Sequence, residues 1–288
     1  MDPRRRTVLL GAVGAAVLAA TGCATAAPAP AAPASPPPPS GPPTTTAPAV
    51  DLAAPAAAVL ARAADVPVLC WHQLRDWRAG DSASARATLI CPPAAFRAQL
   101  DALHAGGYTT ISPDEHLAHL TTGAPLPPKP VLLTFDDSQG SQITTGVPEL
   151  ARHAMRAAFF VMTVALGKPH WMSHDDVKRL HDAGHTVAAH THDHHRADRY
   201  TGADWETQLA KPRAELEAIT GAPVRHFAYP YGDWNAGDFA HLDQAGYVTG
   251  YQLAEQPVDP TRPLLSLRRT LVGSTWGAPQ LMAAVARP

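Results

Sequence analysis

The sequence has little net charge, few cysteines and few charged residues in its first third. Its 288 residues include 23 lysines and arginines and 25 aspartates and glutamates, for a formal net charge of −2. This balance gives no basis for a nucleic-acid partner or an anionic membrane surface. Apolar residues make up 45% of the chain, the usual share for a globular protein, and the length fits one large domain or two small ones.

The longest apolar run, "TVLLGAVGAAVLAA", is too short to predict a transmembrane helix and follows three arginines, Arg4 to Arg6. Such a run is typical of a bacterial export signal, and "RRTVL" resembles a twin-arginine signal. It ends at "ATGC", which resembles a lipoprotein cleavage site with Cys23 as the lipidated residue. We predict an export signal over residues 1–23 and a protein lipid-anchored at the outer face of the membrane, or released from it. Ordinary cleavage with Cys23 unmodified is the alternative.

Residues 24–50 contain no charged side chain and almost no large apolar one. Such a stretch cannot bury enough surface to offset its conformational entropy, and proline biases it toward extended geometry. We therefore predict a stalk over residues 24–62 and a folded domain over residues 63–288. No nucleic-acid partner is expected, and the only expected membrane contact is the lipid anchor.

Cysteine is scarce, with only three residues in the chain. If Cys23 carries lipid, Cys70 and Cys91 remain, and two such cysteines in an exported protein often pair. We therefore predict a disulfide between Cys70 and Cys91. The alternative is two separate buried thiols.

Strand and helix signals alternate from residue 63 to the end. Short apolar runs such as "VPVLCW", "PVLLTF", "AAFFVM" and "HTVAAH" read as strands. Capped helical segments lie between them, including "SPDEHLAHL" and "SHDDVKRLHDAG". This alternation predicts parallel strands covered by helices. Over about 225 residues it favours a distorted (β/α) barrel of about seven to eight parallel strands.

Polar residues that can carry chemistry follow the ends of predicted strands: His72, Asp136 with Asp137, His190 with the nearby His194, and Tyr231. The carboxyl ends of barrel strands meet at one face, where active sites are built, so these residues are expected to converge.

The stretch 190–195 holds four histidines and an aspartate. His190 and His194 have the spacing of one helical face, whereas His190 and His192 would share a face of a strand, and spacing alone leaves both pairs open. Two histidines and a carboxylate with an open position describe a catalytic zinc site, in which the ion lowers the pKa of water to about 7. The two adjacent aspartates allow one to hold the metal and the other to act as a base.

Three motifs occur in order: "TFDD" at 134–137, "HTHDH" at 190–194 and "FAYPYG" at 227–232. In this order they resemble the leading motifs of the polysaccharide deacetylases, carbohydrate esterase family four. "AAFFV" and "LHDAGHTVAAHT" agree with this resemblance, which covers nearly all of residues 66–272. "VPVLCWHQL" further resembles the extracellular poly-N-acetylglucosamine deacetylase subgroup. The family implies a distorted (β/α) barrel, a divalent metal that is usually Zn²⁺, and hydrolytic removal of acetyl groups from sugars.

The resemblance also implies residue roles. Asp136 resembles the catalytic base, and the metal ligands are implied to be Asp137, His190 and His194, which selects this histidine pair over His192. Tyr231 matches a tyrosine whose backbone N–H binds the oxyanion. His72 is expected to protonate the departing amine, as the early histidine does in the subgroup.

The chain departs from the family in its third motif and near its end. The arginine that usually begins the third motif is Ala228 here, and Arg268 or Arg269 is a possible replacement. The aspartate–tryptophan motif is not recognisable, and no histidine follows His241. We predict a metal-dependent hydrolase of linear amide bonds that deacetylates an N-acetylated polysaccharide of the cell envelope or outside the cell. The alternatives are an esterase for O-acetylated sugars or xylan with the same site, and a non-catalytic metal-dependent glycan-binding lipoprotein. The second alternative is motivated by the missing late motifs and by Ala228, which stands where the family has an arginine that braces the catalytic aspartate.

Overall fold

A computed structural model of the chain describes residues 50–253 and 255–286. The strands are β1 Val68–Trp71, β2 Gln73–Leu74, β3 Ile90–Cys91, β4 Thr109–Thr110, β5 Pro130–Phe135, β6 Ala158–Val161, β7 Thr186–Ala189, β8 His226–Ala228, β9 Thr249–Gln252, β10 Leu267–Arg268 and β11 Thr270–Leu271. The helices are α1 Ala56–Ala63, α2 Ala83–Thr88, α3 Pro93–Ala105, α4 Pro113–Thr122, α5 Val147–Arg152, α6 His174–Asp182, α7 Lys211–Thr220, α8 Asp238–Ala245 and α9 Ala278–Val285. Two π-helical segments, Gln142–Gly146 and Glu206–Ala210, directly precede α5 and α7.

The main sheet is a nearly closed parallel barrel. Its strands run in the order β10-β9-β8-β7-β6-β5-β1-β11, and β4 pairs with the start of β5. Only Arg269 separates β10 from β11, yet β10 pairs with β9 and β11 pairs with β1. The segment 267–271 therefore bridges the two ends of the sheet. The predicted distorted (β/α) barrel of seven to eight parallel strands is confirmed.

Local signals explain where several helices begin. Helices α4 and α6 start with capping boxes, in which the hydroxyls of Ser112 and Ser173 accept from Glu115 N and Asp176 N at 3.2 and 3.1 Å. Pro212 lies in the first turn of α7, immediately after the π-helical segment. The helical backbone continues from the π-helical segment into α7, since the Lys211 N–H donates to Glu206 O, and Pro212 removes one main-chain donor at this junction. The segment "ADWETQLAKPRAELEAITG" predicts one long helix with a kink or break at Pro212, and the structure changes there from π-helical to α-helical geometry.

Buried apolar side chains occupy two layers. Side chains such as Leu69 and Trp71 of β1 pack outward against Phe96 of α3, while Val68 packs inward in the cluster that contains Phe160 and Tyr251. Successive residues of a strand point to opposite faces, so each barrel strand contributes to both layers. The strands are apolar on both faces for this reason, and their sequence signal is a continuous apolar run.

The predicted disulfide between Cys70 and Cys91 is wrong. Both cysteines are buried and unbonded. The Cys70 thiol points inward, within 4.8 Å of ligand atoms of His72 and Asp136. Cys91 lies in the outer layer, where its Sγ is 3.6 Å from Gln99 Oε1. The two side chains are on opposite faces of the barrel wall, which excludes the Cβ approach that a disulfide needs.

Part of the stretch assigned to the stalk is packed. Helix α1 lies within it, its Val59 side chain is 1% exposed, and the Arg62 guanidinium donates to Leu120 O of α4 at 2.9 Å. Packed structure therefore begins at least as early as Ala56 rather than at residue 63. The predicted export signal, Cys23 and most of the stalk lie outside the described residues. Within the described ranges, no helix combines the length and hydropathy needed to span a bilayer.

Candidate active site

The predicted site residues lie together at the carboxyl ends of the barrel strands. His72 directly follows β1, Asp136 directly follows β5 and His190 directly follows β7, while Tyr231 comes three residues after the end of β8. Parallel strands in one barrel end at the same face, so residues far apart in sequence meet there.

Asp137, His190 and His194 form a convergent triad. The Nε2 atoms of both histidines lie 3.3 Å from Asp137 Oδ1. Asp137 Oδ1 and His190 Nε2 are buried without a hydrogen-bond partner in the described part of the chain. Burial alone would raise the pKa of Asp137, but the two imidazoles hold it well below its ordinary value. Buried polar atoms are normally satisfied, so this arrangement fits a shared cation.

A hydrogen bond on the side of the His190 ring that faces away from Asp137 fixes the orientation of the ring. His190 Nδ1 lies 2.8 Å from the carbonyl oxygen of Ala228, the last residue of β8. Only a protonated Nδ1 can donate to a carbonyl, so Nε2 is the nitrogen that faces Asp137. A metal-ligating histidine is commonly held by such a second contact. The position where the family usually has an arginine therefore contacts the triad of Asp137, His190 and His194 through its main chain.

The loop 190–196 reaches this geometry without a helical turn. Thr191 and His194 have positive φ angles of 65° and 66°, and the His194 N–H donates to Thr191 Oγ1 at 3.0 Å. Gln208 supports the loop by accepting from His192 N at 3.1 Å. His190 and His194 therefore do not lie on one face of a helical turn, as their spacing suggested. They are nevertheless the two histidines that meet at Asp137.

His192 and His195 point elsewhere. His192 Nδ1 lies 3.1 Å from Thr163 Oγ1, and the His195 side chain is 75% exposed beside Asp193. The alternative pair of His190 with His192 is therefore not formed.

Asp136 is held by a buried arginine. Both guanidinium nitrogens of Arg269 donate to the two carboxylate oxygens at 2.7 Å, and the two side chains are 0% and 1% exposed. Burial alone would raise the pKa of Asp136, but Arg269 and the nearby His190 and His72 lower it below its ordinary value. Arg269 therefore replaces the arginine missing at Ala228, whereas Arg268 is exposed.

His72 lies beside Asp136, with 4.0 Å between His72 Nε2 and Asp136 Oδ2. Gln142 ties the two strand ends together, because its Nε2 donates to the carbonyl oxygens of His72 at 2.8 Å and Asp136 at 2.5 Å. Burial lowers the pKa of His72, and the nearby carboxylates only partly oppose this effect. This environment therefore favours the neutral form of the ring.

Tyr231 has a strained backbone and an exposed ring. Its φ angle is 60° and the residue is 61% exposed, while its ring packs against the His194 ring with centroids 4.6 Å apart. Its main-chain N–H donates to no other described residue. Five of the positive-φ residues other than glycine surround the site: Asp137, Ser138, Thr191, His194 and Tyr231. Strain of this kind persists where surrounding contacts impose it, and it gathers at functional sites.

Sequence reasoning did not assign Cys70 and Gln142 to the site. Cys70, His72 and Asp136 could offer a second set of ligand atoms within 4.8 Å of one another. Both Asp136 oxygens already accept from the Arg269 cation, which disfavours a second metal ion there. The sequence did carry a signal for the position of Cys70, because in β1 it alternates with Leu69 and Trp71 and therefore faces the barrel interior. Gln142 had none, because its position depends on the π-helical segment.

Comparison with known proteins supports this reading of the motifs. The family profile described as polysaccharide deacetylase matches residues 123–250. The matched residues 123–250 form a polysaccharide deacetylase domain. This is the domain of a family of hydrolases that act on amide bonds, so the resemblance and the enzyme class predicted from the sequence are confirmed.

Two relatives and one solved structure illustrate the similarity. YxkH of Bacillus subtilis, named as a polysaccharide deacetylase, is 25% identical over 75% of this chain and 76% of its own length. A peptidoglycan-N-acetylglucosamine deacetylase of Bacillus cereus is 28% identical over 49% of this chain, which spans only 50% of that relative. The Streptococcus pyogenes deacetylase PplD, solved with acetate, shares the fold with a TM-score of 0.70 at 23% identity, over 76% of this chain and 97% of that one.

Proposed function

We propose that the protein removes acetyl groups from an N-acetylated polysaccharide of the N-acetylglucosamine type, using a divalent metal ion. The observation that carries the proposal is the triad of Asp137, His190 and His194 beside the buried pair of Asp136 and Arg269. The triad offers metal ligands, and the pair offers a carboxylate that stays ionised. The name of the peptidoglycan-N-acetylglucosamine deacetylase relative supports the substrate class.

Asp137, His190 and His194 would hold the ion. Two imidazoles and one carboxylate form the ligand set of catalytic zinc sites, so we propose Zn²⁺, although other divalent ions accept the same ligands. When bound, such an ion lowers the pKa of water and polarises a carbonyl group.

The remaining residues divide the proton transfers between them. Asp136, kept ionised by Arg269, accepts a proton from the water that attacks the acetyl carbon. The main-chain N–H of Tyr231 donates to the oxygen that gains negative charge, a contact worth about 3 kcal/mol in comparable sites. The carbon–nitrogen bond then breaks, and His72 protonates the departing amine, which gives acetate and a glucosamine residue.

The neutral state of His72 determines where its proton comes from. Burial lowers its pKa, which favours a ring with a single N–H proton that must gain a second proton before it can act as an acid. Asp136 Oδ2 is 4.0 Å from His72 Nε2, and a small approach of the two side chains allows the proton taken from water to pass on. In this scheme Asp136 and His72 act in sequence on the same proton.

Arg269 also bears on the alternative of a non-catalytic glycan-binding protein. That alternative rested partly on Ala228 replacing an arginine that braces the base. Arg269 supplies this brace from another strand segment, so the departure no longer argues against catalysis. We propose further that the protein is exported and held at the outer face of the membrane by lipid on Cys23.

The decisive experiment measures acetate released by the metal-loaded protein from N-acetylglucosamine oligomers. Asp136→Asn and chelation should each abolish release, whereas Asp175→Asn, at an exposed position of α6, should retain it. O-acetylated oligosaccharides and xylan run in parallel test the esterase alternative. A fully active Asp136→Asn variant would refute the mechanism, and binding without turnover under every divalent metal would support the glycan-binding alternative.

A further inference from the structure

A groove of about 680 Å³ begins beside the proposed site. Its lining includes Gln73, which directly follows His72, and Gln139 to Ser141, which begin two residues after Asp137. Trp171 lines the same groove. This volume is within the range of small-molecule sites, which combine an aromatic wall with a few polar groups.

The segment that contains Trp171 is hydrogen-bonded to the loop that follows Asp137. Its neighbour Met172 donates from its main-chain N–H to Ser138 O at 2.9 Å, and Gly140 N donates to His170 O at 2.9 Å. Gln139 and Trp171 form an antiparallel bridge between these contacts. A Cβ on Gly140 would lie 2.9 Å from His170 O, so glycine permits the close approach. These contacts hold the main chain of Trp171 at a fixed place. The half-buried Trp171 side chain lines the groove.

Three arginines line the same groove: Arg75, Arg78 and Arg179. Arg75 is neutralised by Asp81, with N···O distances of 2.8 and 2.9 Å, and Arg179 is paired with Asp176. The Arg78 guanidinium has no hydrogen-bond or ion-pair partner within the described ranges. One uncompensated cation therefore remains in the groove.

We propose that this groove is a subsite for the sugar residue next to the one that loses its acetyl group, with Trp171 stacking on its ring and Arg78 disfavouring glucosamine. The proposal rests on the proposed function. A sugar ring has an apolar C–H face and hydroxyl groups at its edge, which match the face and the N–H of an indole. The ammonium of glucosamine is repelled by Arg78, whereas an N-acetylated or acidic residue is not. Each hydrolysis therefore makes the neighbouring position a poorer substrate, which spaces the deacetylated residues along the polymer.

The first test separates KM from kcat. For a tetramer of N-acetylglucosamine, Trp171→Ala should raise KM about tenfold with little change in kcat, and Trp171→Phe should restore most of the affinity. Leu52→Ala is the control, since this apolar side chain is 58% exposed and does not line the groove. Acetate release with an unchanged KM in Trp171→Ala overturns the subsite alone. No release by the unmodified protein overturns the proposed function and the subsite with it.

The second test addresses Arg78. The unmodified protein should prefer the fully acetylated tetramer over one with an internal glucosamine by about fivefold at low salt, and less at high salt. The Arg78→Ala variant should lose this preference. The Arg156→Ala variant should keep it, because Arg156 is exposed and precedes the amino end of β6, away from the site at the carboxyl ends of the strands. A preference that survives in Arg78→Ala, or one that salt does not weaken, would overturn the role of Arg78.

Discussion

Arg269→Met should destabilise the protein and shift its activity toward higher pH. The change removes a guanidinium that donates to both oxygens of Asp136 at 2.7 Å, in a pair whose side chains are 0% and 1% exposed. Leaving one partner of a buried pair without its counter-ion costs about 3–5 kcal/mol. We expect a loss of this size at neutral pH, where Asp136 would be ionised and unpaired.

The pH dependence follows from the sign of the shift. In the unmodified protein the pKa of Asp136 is lowered, so its stabilising contribution is complete above the pKa of the unfolded chain and is lost as the pH falls through the folded-state value. Without Arg269, burial raises this pKa. The carboxyl group then protonates at a higher pH, and the neutral form costs less to bury. The stability difference between variant and parent should therefore shrink as the medium is acidified.

Two assays check this reasoning. Denaturant unfolding with a chelator present measures the stability difference at several pH values without a contribution from metal. The pH profile of kcat/KM should show that the variant loses activity on acidification at a higher pH than the parent. Arg268→Met, an exposed neighbour on the same segment, should match the parent in both assays. If the acidic side of the kcat/KM profile is the same in Arg269→Met as in the parent, Arg269 is not the group that keeps Asp136 ionised.

Four further outcomes are expected. His72→Ala should keep its metal but lose kcat by about 10²–10⁴-fold, and near-normal turnover would remove its assignment as the acid. Asp137→Asn should lower the metal content measured by mass spectrometry of the native protein, with retained stoichiometric metal as the contrary result. Cys70 and Cys91 should both react with a thiol reagent only after denaturation, since both are buried and unbonded; a failure to react when denatured would restore the disulfide. Cys23→Ser should release the protein from the membrane fraction, and persistence there would contradict lipidation at this residue.

The sequence alone predicted the barrel and most of the proposed site. Apolar strands alternating with capped helices specify a parallel sheet covered by helices, because each strand must be buried on both faces. The residues after β1, β5 and β7 could be expected to meet because parallel strands end at one face. The roles of Asp136 and Asp137 came from the resemblance of ordered motifs, since spacing could not choose between the two carboxylates.

Local periodicity failed where the loop backbone departs from regular structure. His190 and His194 meet through residues with positive φ angles rather than through a helical turn. Neither the helical nor the strand period describes such a loop, so spacing could not decide between His192 and His194. The contacts of Gln208 and Thr191 that hold the loop come into place only in the folded chain.

The tertiary structure alone decided the partner of Asp136 and the state of the cysteines. Arg269 is 133 positions from Asp136 in the chain, and it reaches the carboxylate because the segment 267–271 bridges the ends of the sheet in a register that turns Arg269 inward and Arg268 outward. Cys70 and Cys91 are close in sequence, but Cys70 points into the barrel from β1, whereas Cys91 lies in β3, outside the main sheet, next to Gln99 of α3. Residue types and their order thus specified the elements and the available chemistry. The pairing of side chains depended on strand register, because a shift of one residue exchanges the inner and outer faces of a strand.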